Sequence, residues 1–219
     1  DVPVLENPAL PIGAYPKRAP ACDGMVLPKQ QSFADWNQSL PVGSASSRRT
    51  LQFQMQYPNC TVHPIRGNVL TRLEKLDRGE YGALILAEAG LQRLGLEHRI
   101  TRRFSPAEIV PAAGQGILAV QGRAGEYTDL LQRLNDPQAA FCAKIERAVS
   151  KALNGDCTAP IGAYADLQGE NITLYGFYAE DGIGIKSTLT GSVTQAESLA
   201  NTLAEQLKQQ VQAKKEAML

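Results

Sequence analysis

No two cysteines of this chain form a C-x-x-C pair: the four present, Cys22, Cys60, Cys142 and Cys157, lie far apart. That spacing argues against a zinc module built from close pairs and against a dense disulfide framework, and it suits a reducing, cytoplasmic setting. Net charge is also missing, because 22 Lys and Arg balance 22 Asp and Glu. The chain as a whole therefore exerts no long-range pull on nucleic acid or an anionic membrane, and aromatics at 6% are few for stacking on single-stranded bases. No apolar run is long enough to span a bilayer, and the first residues lack the basic-then-apolar pattern of a signal peptide. Nor does the chain start with Met; Asp1-Val2-Pro3-Val4 reads like interior sequence, so the expectation is a fragment or processed piece. What is present is an ordinary globular composition, 43% hydrophobic and 20% charged over 219 residues, enough for two domains or one large one.

Seven prolines within residues 1–42 break that stretch into extended chain and short strands. Val42-Gly43-Ser44-Ala45-Ser46-Ser47-Arg48-Arg49 then leads into a helical run ending near Tyr57. Small hydroxyl residues entering a helix make an anion cradle, and Arg48 and Arg49 sit in its first turn, where the helix dipole disfavours them. A plain Ser N-cap with a solvated Arg pair is the alternative; the doubling of arginine favours a ligand. Thr61 to Ile65 predicts a strand that Arg66-Gly67-Asn68 turns into a helix from Val69 to Arg78, with Asn68 as N-cap. Arg66 and Arg72 would both face the C-terminal edge of a sheet, where open α/β folds bind ligands; a surface pairing of Arg72 with Asp or Glu is the alternative. His63 reads as a strand residue rather than a catalyst.

Tyr81 to Ala87 predicts a buried strand and Glu88 to Leu94 a helix, a strand-helix alternation that implies a parallel sheet. Ser105-Pro106-Ala107-Glu108 has the pattern of a capping box opening a helix. Ala112-Ala113-Gly114-Gln115-Gly116 is a hinge, a place where backbone meets ligand, or a simple turn, before a strand from Ile117 to Gln121. Helix is expected from Glu126 to Leu134 and from Pro137 to Leu153. Three alternating segments, Ile161 to Ala165, Ile172 to Ala179 and Ile183 to Leu189, precede a long helix from Gln195 to about Lys214. Strands covered by a helix make a small α+β domain distinct from the α/β part.

Between the last two regions lies Asn154-Gly155-Asp156-Cys157-Thr158-Ala159-Pro160. A turn there presents the Cys157 thiol as a nucleophile, metal ligand or attachment point, or else tucks it away as a small buried residue.

Taken together, Asp1-Val2-Pro3, the Ser-rich turn ending in Arg48-Arg49, Arg66-Gly67-Asn68 with Thr71-Arg72-Leu73, Ala89-Gly90-Leu91, Gly114-Gln115-Gly116 and Cys157 with Pro160-Ile161-Gly162 resemble the hydroxymethylbilane synthase (porphobilinogen deaminase) family over essentially the whole chain. The resemblance implies a transferase of tetrapyrrole, and hence heme, synthesis. It joins four porphobilinogen units head to tail with loss of ammonia, through polypyrrole intermediates, on a dipyrromethane cofactor held by a thioether to Cys157. It assigns catalysis to Asp1, whose carboxylate would stabilise positive charge on the reacting pyrrole and relay its protons. Carboxylate binding falls to Arg48, Arg49, Arg66, Arg72 and Arg99, with Ser46 and Gln115 lining the same cleft, and no metal is implied. Because each pyrrole bears an acetate and a propionate, local arginines in a neutral protein make chemical sense.

The fold implied is a doubly wound α/β domain like those of periplasmic binding proteins (residues 22–112) plus a small α+β domain with a three-stranded antiparallel sheet (138–219). Residues 1–21 and 113–137 would be remnants of a first domain. Family members carry a long segment before Asp-Val-Pro, so the expectation is that this chain needs that missing N-terminal segment as a partner and is inactive alone. The family's Gly-Gly-Cys is here Gly155-Asp156-Cys157, which sets a carboxylate beside the attachment point. The competing functional reading is a two-lobed module that binds a small polycarboxylate without chemistry.

Overall fold

The computed structural model describes residues 7–153 and 160–218. The chain divides into two compact units, Pro20–Pro111 and a second drawn from the described parts of Asp1–Ala19 and Ala112–Leu219.

Among the described residues, the proline-rich beginning yields β1 (Ile12–Ala14), which belongs to the second unit, β2 (Asp23–Val26) and a short 3-10 turn at Phe33–Asp35. The rest of the Pro20–Pro111 unit runs β3 (Val42–Gly43), α1 (Ser47–Gln56), β4 (Val62–His63), α2 (Val69–Asp77), β5 (Ala83–Ala87), α3 (Glu88–Arg93) and β6 (Ile100–Arg103). Its sheet has the order β4-β3-β5-β2-β6. β3 is parallel to β4 and β5, as the helical crossovers require, but β2 is antiparallel to both β5 and β6. The expected parallel sheet is therefore corrected to a mixed one. β2 arises from the proline-rich run, which contains no crossover helix, and it enters the sheet in the opposite direction.

Alternation along the strands separates two cores. Met25, Val42, Ala83 and Ile85 pack with Phe53 of α1 on one face, whereas Val26, Leu84 and Leu86 pack with Leu73 and Leu76 of α2 and Leu91 of α3 on the other. That is the doubly wound arrangement. Helix starts follow the local chemistry: the Ser46 hydroxyl accepts from Arg49 N, and Asn68 Oδ1 accepts from Thr71 N at 2.9 Å. Ser105 and Glu108 exchange both bonds of a capping box, but the segment is a turn and no helix follows. There the box is spent on the turn itself, since Arg102 also engages the Glu108 carboxylate.

In the second unit β1 pairs antiparallel with β7 (Val120–Gln121), and α4 (Thr128–Leu134) lies beside them with Leu131 against Gly13. The strand expected from Ile117 is shortened because the Ile117 N–H closes a turn onto Gly114 O at 2.9 Å. α5 (Pro137–Ala152) starts on Asp136, whose carboxylate accepts from Ala139 N at 2.7 Å, with Pro137 in the first turn. β8 (Ile161–Gln168), β9 (Asn171–Glu180) and β10 (Ile183–Ser192) form an antiparallel sheet in the order β10-β9-β8, and α6 (Ala196–Glu216) packs on it with α5. Ile145, Val149, Leu174, Leu203 and Leu207 fill the layer between. Gly176 lets β9 approach α6, since a Cβ there would stand 2.7 Å from Leu207. Among the described residues, no helix is long and apolar enough to cross a membrane.

Candidate anion-binding site

Parallel pairing sets Gly43 of β3 opposite His63 of β4, so the turns leaving these strands emerge side by side at one sheet edge. Between them is a hollow of about 290 Å³ lined by Ser44, Ser46, Ser47, Thr50, His63 and Arg66. The Ser44 hydroxyl donates to Ser46 O and accepts from Ser46 N, both at 3.2 Å, which tightens the turn before α1. The first turn of α1 thus offers backbone N–H groups and hydroxyls to the same space.

Arg66 lines this hollow, with Arg72 within electrostatic reach of it. Arg72 reaches back from α2, its Nε donating to Gly67 O at 2.8 Å. Burial first, and then the positive charges of Arg49 and Arg66, push the Arg72 guanidinium below the usual arginine range. Close like charges raise the local positive potential, which suits a carboxylate or phosphate ligand.

Arg48 points inward instead. It is almost fully buried, and its Nη1 donates to Asp23 Oδ2 at 2.9 Å and to Val110 O at 2.6 Å. Arg49 donates to the other oxygen of the same carboxylate, from Nε and Nη2, both at 2.8 Å. Asp23, wholly buried at the head of β2, is the counter-ion that makes two arginines tolerable in a helix first turn. Sequence reasoning missed it. A doubled arginine at a helix N-terminus signals that an acid must be near, but only the sheet order brings β2 there.

Arg99 is not brought to this group. It lies in the short turn Glu97–Arg99, donates to both oxygens of Asp77 at 2.7 and 3.2 Å and contacts Leu27 O. Asp77 closes α2, the opposite end of that helix from the Asn68 cap.

Gln115 belongs to the second unit, in a turn whose Gly114 and Gly116 have φ of 75° and 85° and where glycine is needed. Arg18 Nε donates to Gln115 O at 3.1 Å, and Gly114 N donates to the buried Glu146 at 2.7 Å. Asp1 and Cys157 lie outside the described residues.

Two family models match the chain: "Porphobilinogen deaminase, dipyromethane cofactor binding domain" over residues 1–130, and "Porphobilinogen deaminase, C-terminal domain" over residues 140–209. The chain belongs to the porphobilinogen deaminase family. Curated porphobilinogen deaminases agree. That of Acetivibrio thermocellus is 51% identical over 205 residues, 93% of this chain and 70% of the relative. Those of Alkaliphilus oremlandii and Ruminiclostridium josui are 46% and 43% identical, each match covering 95% of this chain and 70% of the relative. A solved periplasmic binding protein of Salmonella typhimurium with high arginine specificity superposes at a TM-score of 0.33 and 18% identity over 60% of this chain and 62% of its own; so loose a likeness adds nothing to the topology above.

The donor set fits the family's cofactor. A dipyrromethane bears carboxylate arms, and the α/β unit collects Arg49, Arg66, Arg72 and a hydroxyl-lined hollow in one region.

Proposed function

We propose that this porphobilinogen deaminase chain, completed by the N-terminal segment it is expected to need, condenses porphobilinogen units, with loss of ammonia, into hydroxymethylbilane, and that its arginines hold the acetate and propionate arms of cofactor and substrate. The observation that carries this reading is the hydroxyl-lined hollow at the start of α1 with Arg66 on its wall, and Arg72 close enough to feel the charges of Arg49 and Arg66. Arg66 and Arg72 take the substrate arms, while Arg49 and the first turn of α1 with Ser46 take those of the cofactor. Arg48 contributes by fixing its neighbour through Asp23. Arg99 braces α2 through Asp77.

Gln115, whose carbonyl accepts from Arg18, is assigned to contact the cofactor. Cys157 supplies the sulfur of the thioether, and Asp1 supplies the carboxylate that faces developing positive charge and carries protons. When bound, the dipyrromethane provides the pyrrole carbon to which the first porphobilinogen is joined. The setting is the cytoplasm.

The domain division proposed is 22–112 for the α/β domain, 138–219 for the cofactor-bearing α+β domain, and 1–21 with 113–137 for part of a first domain. In support of the last, Leu10, Leu118, Leu130 and Leu134 on the β1, β7 and α4 module are exposed. A two-stranded sheet is also marginal without further packing. We assign the covering role to an N-terminal segment of the family, whose curated members exceed the matched length.

Intact-mass spectrometry before and after incubation with porphobilinogen tests the reading. The expected result is a covalent adduct of dipyrromethane mass on Cys157 and tighter porphobilinogen binding by wild type than by Arg72→Gln. An unmodified Cys157 together with equal binding by both proteins contradicts it.

A further inference from the structure

The Asp23 carboxylate is placed unlike any other acid in the α/β unit. It is 0% exposed, it stands where β2 meets the C-terminal end of β5 (Asp23 opposite Ala87), and its two oxygens are divided between neighbouring arginines of one helix turn. Oδ2 receives Arg48; Oδ1 receives both Nε and Nη2 of Arg49. A guanidinium gripped along its Nε–Nη2 edge loses rotation about its last torsions, so its plane and the direction of its remaining edge are fixed. Arg48 is locked as well, by Val110 O, and the Val110 N–H donates to Gln52 Oε1 at 2.8 Å, so the carboxylate sits in a frame braced from three segments.

We infer that Asp23 is a positioning residue for carboxylate recognition: it fixes the Arg49 guanidinium in the orientation that completes the cluster with Arg66 and Arg72. The inference rests on the function proposed above. Three observations favour positioning over plain charge balance. Charge balance for Arg48 needs only one oxygen, yet the second oxygen is spent on Arg49 through two nitrogens. Arg49 is the less buried of the pair, with side-chain exposure of 14% against 5% for Arg48. And Arg49 is close enough to Arg72 for its charge to be felt there. Pre-organised donors lose little entropy when the ligand arrives, which is where such a residue contributes to affinity.

The test is calorimetric titration of porphobilinogen into wild type, Asp23→Asn, Arg49→Gln and the double variant, with circular dichroism on each. Asp23→Asn and Arg49→Gln are each expected to weaken binding about tenfold, and the double variant no more than Arg49→Gln alone, since both act through one guanidinium. A purely structural acid would lower affinity independently of Arg49, so fully additive losses overturn the inference, as does wild-type affinity in Asp23→Asn. Should Asp23→Asn not fold, Asp23→Glu takes its place. It keeps the charge but shifts the oxygens by one methylene, and a folded Asp23→Glu protein binding about threefold weaker or worse upholds the inference, whereas wild-type affinity ends it. No binding by the wild-type chain removes the substrate reading, and the role of Asp23 with it, a pattern distinct from any of these.

Discussion

Glu146, fully buried on α5, accepts both terminal nitrogens of Arg18, at 2.6 and 3.1 Å. The same carboxylate accepts the N–H groups of Gly114 at 2.7 Å and Ala165 at 2.9 Å, and the Arg18 guanidinium lies 4.9 Å from the Tyr164 ring centre. Burial works against the Arg18 charge, but Glu146 outweighs it and holds the guanidinium protonated. One ion pair thus ties together the N-terminal segment, the turn containing Gln115, α5 and β8.

Replacing Glu146 by Gln leaves the arginine charge buried without its anion, and removing one member of such a pair costs about 3–5 kcal/mol. Thermal unfolding of Glu146→Gln should therefore start about 10 °C below wild type. The double replacement Arg18→Met with Glu146→Leu should recover most of that loss, because no charge is left buried. A single variant melting with wild type would show that the pair does not hold these segments.

Glu108 gives the chain an acid-sensitive contact. Burial opposes its charge, but the N–H and hydroxyl of Ser105, and then Arg102, more than compensate and hold its carboxyl below the ordinary carboxylate range. A carboxyl depressed in the folded state stabilises the fold fully above its unfolded value of about 4.3, and that contribution is lost as pH falls through the lower folded value. In thermal melts between pH 7 and pH 3, wild type should lose more stability than Glu108→Gln. Parallel pH profiles would contradict this.

Cys142 should be inert in the native protein. Burial, and next the nearby Glu146 charge, push its thiol up to about 11, and its Sγ lies 3.8 Å from Ala165 O. Thiolate is the reactive form. Iodoacetamide at pH 8, followed by peptide mass mapping, should modify Cys142 only after denaturant is added. Modification without denaturant would mean that this part of the α5–β8 core opens readily.

Local chemistry made much of the molecule legible without coordinates. Asn68, Asp136 with Pro137, and Ser46 mark helix starts because a side-chain acceptor must meet backbone donors within three residues, a relation written in sequence. Period-two alternation located β8, β9 and β10, and the doubled arginine at Arg48-Arg49 marked a place where charge had gathered.

What the sequence by itself determined, then, were the elements, the two architectural classes and a set of arginines suited to carboxylates, since each depends on residues close along the chain. Tertiary structure decided the rest. Only the order β4-β3-β5-β2-β6 carries Asp23 beneath Arg48 and Arg49, 25 and 26 positions away, and reverses β2 within a sheet that helix alternation alone would make parallel. Only packing brings Arg72 within reach of the charges of Arg49 and Arg66 while sending Arg99 to Asp77. Electrostatics falls off with distance in space and not with separation in sequence, so which guanidinium meets an internal acid and which awaits a ligand is settled when the strands take their places.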